Sequence, residues 1–154
     1  GMTPMEQLLA RQACADLMTA YCTHLDNRAQ DALVALFEPT ATVRKLSPPS
    51  FTATGHEQIV QVLQARPSSM VSRHLLANVT VRLDEEGGAR GEACGMVVRG
   101  TRDRDSWPMP IRGLELLVSY AMVFRHTADG WRIRDCAIQR VFDVDALPIQ
   151  PPSP

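Results

Sequence analysis

Few side chains in this sequence are suited to moving a proton or holding a metal. There are four histidines (His24, His56, His74 and His126), two tyrosines (Tyr21 and Tyr120) and four cysteines (Cys14, Cys22, Cys94 and Cys136). No two cysteines form a C-x-x-C pair, and none has a histidine at zinc-finger spacing. Cys22 and His24 are two apart, so on a helix they point in different directions. The cysteines read as reduced, mostly buried small hydrophobes of a cytoplasmic protein, and no metal site is expected. What remains is acid–base chemistry. A histidine that titrates near neutrality is a suitable base for taking a proton from a carbon next to a carbonyl, the step that begins loss of water or migration of a double bond. A carboxylate on its other ring nitrogen fixes the tautomer and stabilises the imidazolium. A tyrosine hydroxyl can hold the carbonyl oxygen as it becomes enolate-like. Such chemistry needs no metal or organic cofactor.

The elements that would position these groups follow from spacing. Thr3, Pro4 and Glu6 form a helix start with a capping box. Met5, Leu9, Ala13, Leu17, Ala20, Tyr21 and Leu25 then recur at helical spacing, which predicts a long first helix ending near Asp26-Asn27. A short second helix is expected over 29–37, stopped by Pro39. A strand over 41–46 and a third helix from His56 to about Ala65 come next. After residue 70 the chain reads as four long strands, over 71–84, 89–104, 114–126 and 131–142. Glu85-Glu86-Gly87-Gly88 and Thr127-Ala128-Asp129-Gly130 supply two of the turns. Helices first and meander strands last predict an α+β domain with helices packed on one face of a curved, mostly antiparallel sheet. This order puts Tyr21 and Asp26 near the end of the first helix and His74 near the start of a strand. His24, His56 and His126 fall at element ends, where solvent-facing histidines are expected.

Bulk properties exclude other classes. With 154 residues, 45% of them hydrophobic and 21% charged, the chain is an ordinary single domain with a real core. The domain is expected over 3–146, with a proline-rich tail over 147–154. The net charge of −1 gives no basic footprint, so a nucleic-acid partner is not expected. No apolar run approaches the roughly 20 residues needed to cross a bilayer, and no leader pattern precedes the first helix, so no membrane association is expected. Gly1 before Met2 reads as a cloning remnant.

Four stretches carry a family likeness: Tyr21-Cys-Thr-His-Leu-Asp26 followed by Leu33-Val-Ala-Leu-Phe37; Gly55-His-Glu-Gln-Ile59; Arg73-His-Leu-Leu-Ala-Asn-Val79; and Tyr120 with Gly130-Trp-Arg-Ile133. In this order and spacing the chain resembles the SnoaL-like branch of the NTF2-like superfamily. That branch includes polyketide cyclases, scytalone dehydratase, bile-acid 7α-dehydratase and the small subunits of ring-hydroxylating dioxygenases. The resemblance implies a cone built by helices on a curved sheet, with a hydrophobic pocket inside. By motif position it implies that Tyr21, Asp26 and His74 converge there, with His74 as base, Asp26 orienting it and Tyr21 holding the substrate oxygen. Met18, Phe37, Val43, Phe51, Asn78, Met96, Val98, Leu116, Tyr120 and Met122 are the candidates for the pocket wall. The implied ligand is a small apolar, carbonyl-bearing molecule, and the implied assembly is a homodimer, with Trp107 in its Pro-flanked loop as a dimer contact or lid. Scytalone dehydratase places a second pocket histidine on a middle strand. Here that strand alternates Cys94, Met96 and Val98 with Gly95, Val97 and Arg99, so the resemblance implies a reaction class and not that reaction.

Geometry sets two conditions. On an ideal helix Asp26 lies about 140° around from Tyr21. In an unbroken strand His74 shares a face with Asn78, Thr80 and Arg82, opposite Val79, Val81 and Leu83. An inward His74 together with the inward valine row therefore needs a β-bulge between about Leu75 and Asn78. Each candidate also has a structural alternative. Asp26 suits a helix-ending turn, Tyr21 suits the core, and His74 can be a satisfied histidine. Three functional classes stay open: a cofactor-free dehydratase- or cyclase-like lyase or isomerase, a non-catalytic small-molecule binder, and an assembly subunit.

Overall fold

The computed structural model describes residues 1–102, 107–146 and 151–154. Helix α1 spans Pro4–Asp26, α2 Gln30–Val34 and α3 Gly55–Gln64. The strands are β1 (Phe37–Lys45), β2 (Phe51–Thr54), β3 (Met70–Leu83), β4 (Gly88–Thr101), β5 (Leu116–Thr127) and β6 (Gly130–Asp143). They form one six-stranded sheet in the order β2-β1-β6-β5-β4-β3. Every pairing is antiparallel except β1 with β6. This is the α+β arrangement of helices on one face of a curved sheet. Among the described residues, no helix is long and apolar enough to cross a membrane. The expected end of the second long strand at Arg104 and the first part of the proline-rich tail, 147–150, lie outside the described residues.

The capping box at Thr3 forms in both directions, with Glu6 N–H donating to Thr3 Oγ1 and Thr3 N–H to Glu6 Oε2. The buried stripe of α1 is Ala10, Cys14, Met18, Tyr21, Cys22 and Leu25. This corrects the expected stripe. Met5 and Leu9 are 63% and 60% exposed. The second helix is shorter than expected, and Phe37 begins β1. Phe37 pairs with Ile133, and the Ile133 N–H donates to Leu36 O at 2.8 Å. Pro39 is tolerated in this strand because it falls in the irregular stretch between Phe37 and Thr42, where the ladder with β6 shifts. Strand β2, which the sequence reading missed, is only four residues long.

The core lies between α1 and the sheet. Cys14, Met18, Tyr21, Phe37, Val43, Tyr120, Met122, Phe124, Ile133 and Cys136 are all buried within it. Two glycines of β4 make the close approach possible. A Cβ on Gly91 would lie 2.9 Å from both Met18 Sδ and Phe124 Cε2, and one on Gly95 would lie 2.6 Å from Tyr120 Cε2. The inward parity of β4 is therefore the odd one: Ala89, Gly91, Ala93, Gly95 and Val97. All four cysteines are free thiols; Cys14, Cys22 and Cys136 are buried and Cys94 is half-buried.

Candidate functional site

Asp26 is the last residue of α1, and its carboxylate reaches the first residues of β3. Ser72 Oγ donates to Asp26 Oδ1 at 2.8 Å, and the His74 backbone N–H donates to Oδ2 at 2.8 Å. His74 Nδ1 lies 2.5 Å from Oδ1. Both side chains are nearly sealed, with 8% of the His74 side chain and 7% of the Asp26 side chain exposed. Burial pushes the Asp26 carboxyl up, but hydrogen bonds from the His74 ring and backbone, the charge of the imidazole and the Ser72 hydroxyl outweigh it, so the group titrates below its usual value. An ionised Asp26 accepts the Nδ1 proton. That leaves Nε2, which makes no hydrogen bond among the described residues, as the basic nitrogen.

His74 faces inward because β3 carries a bulge. The register with β4 shifts between Ala77 and Thr80, where three steps on β3 match two on β4 (Cys94 to Glu92). Asn78 takes a left-handed backbone there, φ 56°. Ser72, His74 and Leu76 turn inward before the bulge, and Val81 and Leu83 after it. Val79, expected inward, sits in the bulge and is 39% exposed. Ser72 was not singled out by sequence reasoning; its signal was its position two residues before His74, on the same face.

Tyr21 stands one turn earlier on α1, 1% exposed. Its ring meets Phe37 edge-on at 6.2 Å and Tyr120 at 5.9 Å. Burial holds both phenols well above their usual range, helped at Tyr21 by Cys136, Tyr120 and Cys22, and at Tyr120 by Cys22, Cys136 and Asp26; Arg66 pulls the other way on each. Both are therefore hydroxyl donors at any ordinary pH. Among the described residues, Tyr21 makes no hydrogen bond to Asp26 or His74. The structure thus joins Asp26 and His74 directly, and places Tyr21 in the aromatic layer behind them.

The expected wall residues divide. Met18, Phe37, Val43, Leu116, Tyr120 and Met122 are buried, and all belong to one packed cluster. Phe51 is half-buried against it. Met96, Val98 and Asn78 are corrections. Met96 and Val98 have the even parity of β4, which faces away from the helices, and Met96 is 37% exposed. Asn78 is exposed at the bulge, beside a cleft it shares with Cys94 and Ser119. Two of the outlying histidines also differ from expectation. His56 is half-buried, its Nε2 2.9 Å from the Phe37 carbonyl oxygen, and His24 lines a cavity of about 60 Å³ between the three helices. His126 is exposed and tilts on Trp131 at 5.2 Å. Trp107 is 64% exposed, with the Arg102 guanidinium 5.0 Å above its ring.

Known proteins share this layout. The provisionally assigned scytalone dehydratase of Novosphingobium aromaticivorans superposes with a TM-score of 0.73 at 20% identity, covering 92% of this chain and 91% of that one. A provisionally assigned dehydratase of the NTF2-like family from Streptomyces avermitilis gives 0.71 at 19%, covering 90% and 99%. ActVI-ORFA of Streptomyces coelicolor gives 0.70 at 17%, covering 87% and 97%. At these identities the likeness is one of fold. No curated protein matches the sequence. The SnoaL-like domain profile matches residues 6–137, from the first turns of α1 through most of β6. The match takes in nearly all of α1, the bulged β3 and every strand except the last part of β6, and the chain, which has the NTF2-like fold, belongs to the SnoaL-like family.

Proposed function

We propose that this protein is a cofactor-free lyase or isomerase, dehydratase- or cyclase-like, acting on a small apolar substrate that carries a carbonyl. The observation that carries this reading is the sealed Asp26–His74 pair, 2.5 Å from carboxylate oxygen to Nδ1. The carboxylate also accepts from the His74 backbone N–H and from Ser72, which fixes it against the ring nitrogen. In the proposed reaction His74 Nε2 takes a proton from the carbon next to the carbonyl, and Asp26 holds the imidazolium that forms. The Tyr21 hydroxyl, held protonated by burial, donates to the oxygen as it gains enolate charge. The imidazolium then returns the proton, either to a departing hydroxyl, giving water and a double bond, or to another carbon, giving an isomer. The provisionally assigned dehydratases among the structural relatives support the lyase class.

The test is exchange of the α-hydrogen of a hydroxy-ketone panel with deuterated water, followed by NMR, alongside turnover. His74→Ala lowers either rate by about 10²–10⁴-fold. A wild type that neither exchanges nor converts any member of the panel leaves the binding-domain reading instead.

The assembly is proposed to be a homodimer paired through the outer sheet face. Leu75, Met96, Leu117 and Phe142 lie side by side there, in register across four strands. Leu75 and Phe142 are 52% and 68% exposed. A contiguous apolar row of this kind marks a contact surface.

A further inference from the structure

The cavity between the three helices has an unusual lining. Leu25 of α1, Leu33 of α2 and Ile59 and Leu63 of α3 give it an apolar floor, and its charged members, Arg28 and Arg66, are both cationic. Of the lining residues, none is acidic. Arg28 is occupied: its Nη2 donates to the carbonyl oxygens of Pro67, at 2.5 Å, and Met70, at 2.8 Å. Arg66 is not. It is half-buried, makes no salt bridge among the described residues, and has one side-chain hydrogen bond there, to Met70 Sδ at 3.4 Å, a weak acceptor.

A guanidinium withdrawn from water needs an anion, or its burial is a net cost. The surroundings deepen that need. Burial lowers the Arg66 pKa, and the neighbouring charges of Arg28 and Arg99 lower it further, against a raising influence from Asp26 and Tyr21. Asp26 is the nearest candidate counter-ion named by these influences, but both its oxygens are taken by Ser72 and His74. Arg99 leans 3.5 Å from Glu115, which is held more closely by Arg112 at 3.0 Å. A cation next to two others, facing an acid-free cavity, suits an anionic group.

The size limits what sits there. A cavity of about 60 Å³ has room for roughly four to six waters. That suits a head group of a few heavy atoms and not a whole ligand. We propose that this cavity seats the carboxylate of a small, otherwise apolar molecule, and that Arg66 is the residue selecting for it. The proposal deepens the reading of the Asp26–His74 pair, on which it rests for the reacting end of the substrate. Leu25, in the cavity wall, immediately precedes Asp26 at the end of α1, which puts the cavity beside the helix end that carries the pair. Arg66 is thus a specificity residue and not part of the proton transfer.

The experiment compares 2-naphthoate with uncharged 2-naphthamide by titration calorimetry on the full chain. Naphthoate is expected to bind the wild type about 10- to 100-fold more tightly, the worth of one charge-assisted pair. Arg66→Gln removes the preference, Arg66→Lys keeps part of it, and raising the salt concentration narrows it in the wild type. Equal binding of acid and amide to the wild type, no binding of either, or a preference undiminished in Arg66→Gln overturns the proposal. The salt series on the wild type decides the matter even if Arg66→Gln does not fold. The proton-exchange assay reports on His74 separately. An intact carboxylate preference with an inert His74 would sink the catalytic reading alone, and the converse would sink the anion seat alone.

Discussion

Asp26 accepts three hydrogen bonds from two residues of one strand, which makes it both the anchor of α1 on β3 and the partner of the proposed base. Its folded pKa lies below its ordinary value, so the folded protein binds that proton more weakly than the unfolded chain does. The stability it contributes is therefore complete above the ordinary carboxylate range and is lost as the pH falls below about 4, through the folded value. Denaturant titrations across that range should show a steeper acid loss for the wild type than for Asp26→Asn. At neutral pH the variant should be about 1–3 kcal/mol less stable, because an amide cannot accept all three donors. Parallel acid limbs would show that the pair does not hold the fold. Of these contacts the sequence made Asp26 and His74 legible through their place in the motifs. Ser72 stayed hidden because a serine beside a strand start has no distinguishing pattern until its face is known.

The faces are decided at the level of whole strands. The β3 bulge could be foreseen because a polar and an apolar set of alternate residues competed for one face, and only an inserted residue reconciles them. Its location at Asn78 fits the residue type, since asparagine tolerates the left-handed region that a branched side chain resists. Asn78→Val should lower stability by about 1–2 kcal/mol while Asn78→Gly stays within about 0.5, measured by chemical denaturation. Equal losses would mean that the backbone there is not strained by a side chain. Strand β4 misled for the opposite reason. Its inward face carries Gly91 and Gly95, which read as the weaker face, while Met96 and Val98 read as core. The glycines face inward because Met18, Phe124 and Tyr120 fill the space above them. A rule of alternation cannot see side chains contributed by another element. Phe37 was hidden in the same way: it fits a helix by local spacing, yet its partner Ile133 lies in the last strand.

For the molecule as a whole, turning Met96 outward completes the row of Leu75, Met96, Leu117 and Phe142. The resemblance implies a homodimer but not this row, because simple alternation puts Met96 with Val98 on the inner face. Phe142→Asp should convert the proposed homodimer to a monomer in light scattering at micromolar concentration, with the proposed α-hydrogen exchange at His74 retained, since that site lies on the opposite face. A variant that stays dimeric, or a wild type already monomeric, would reject this surface.

The parallel contact of β1 with β6 has a further consequence, in the order of assembly. The two strands are separated by almost the whole sheet-forming chain. While a nascent chain lengthens, α1 can dock on β3, and the β3–β4–β5 meander can grow, as soon as each is made. β1 can pair with β2 and receive α3, but its other edge, with Val43, waits until Ile133 to Ile138 emerge. Such non-local closure is slow compared with hairpin growth. The Asp26–His74 contact, which needs only α1 and β3, and the helical cavity, lined wholly by residues 24–66, can therefore both form before the β1–β6 pairing closes the sheet.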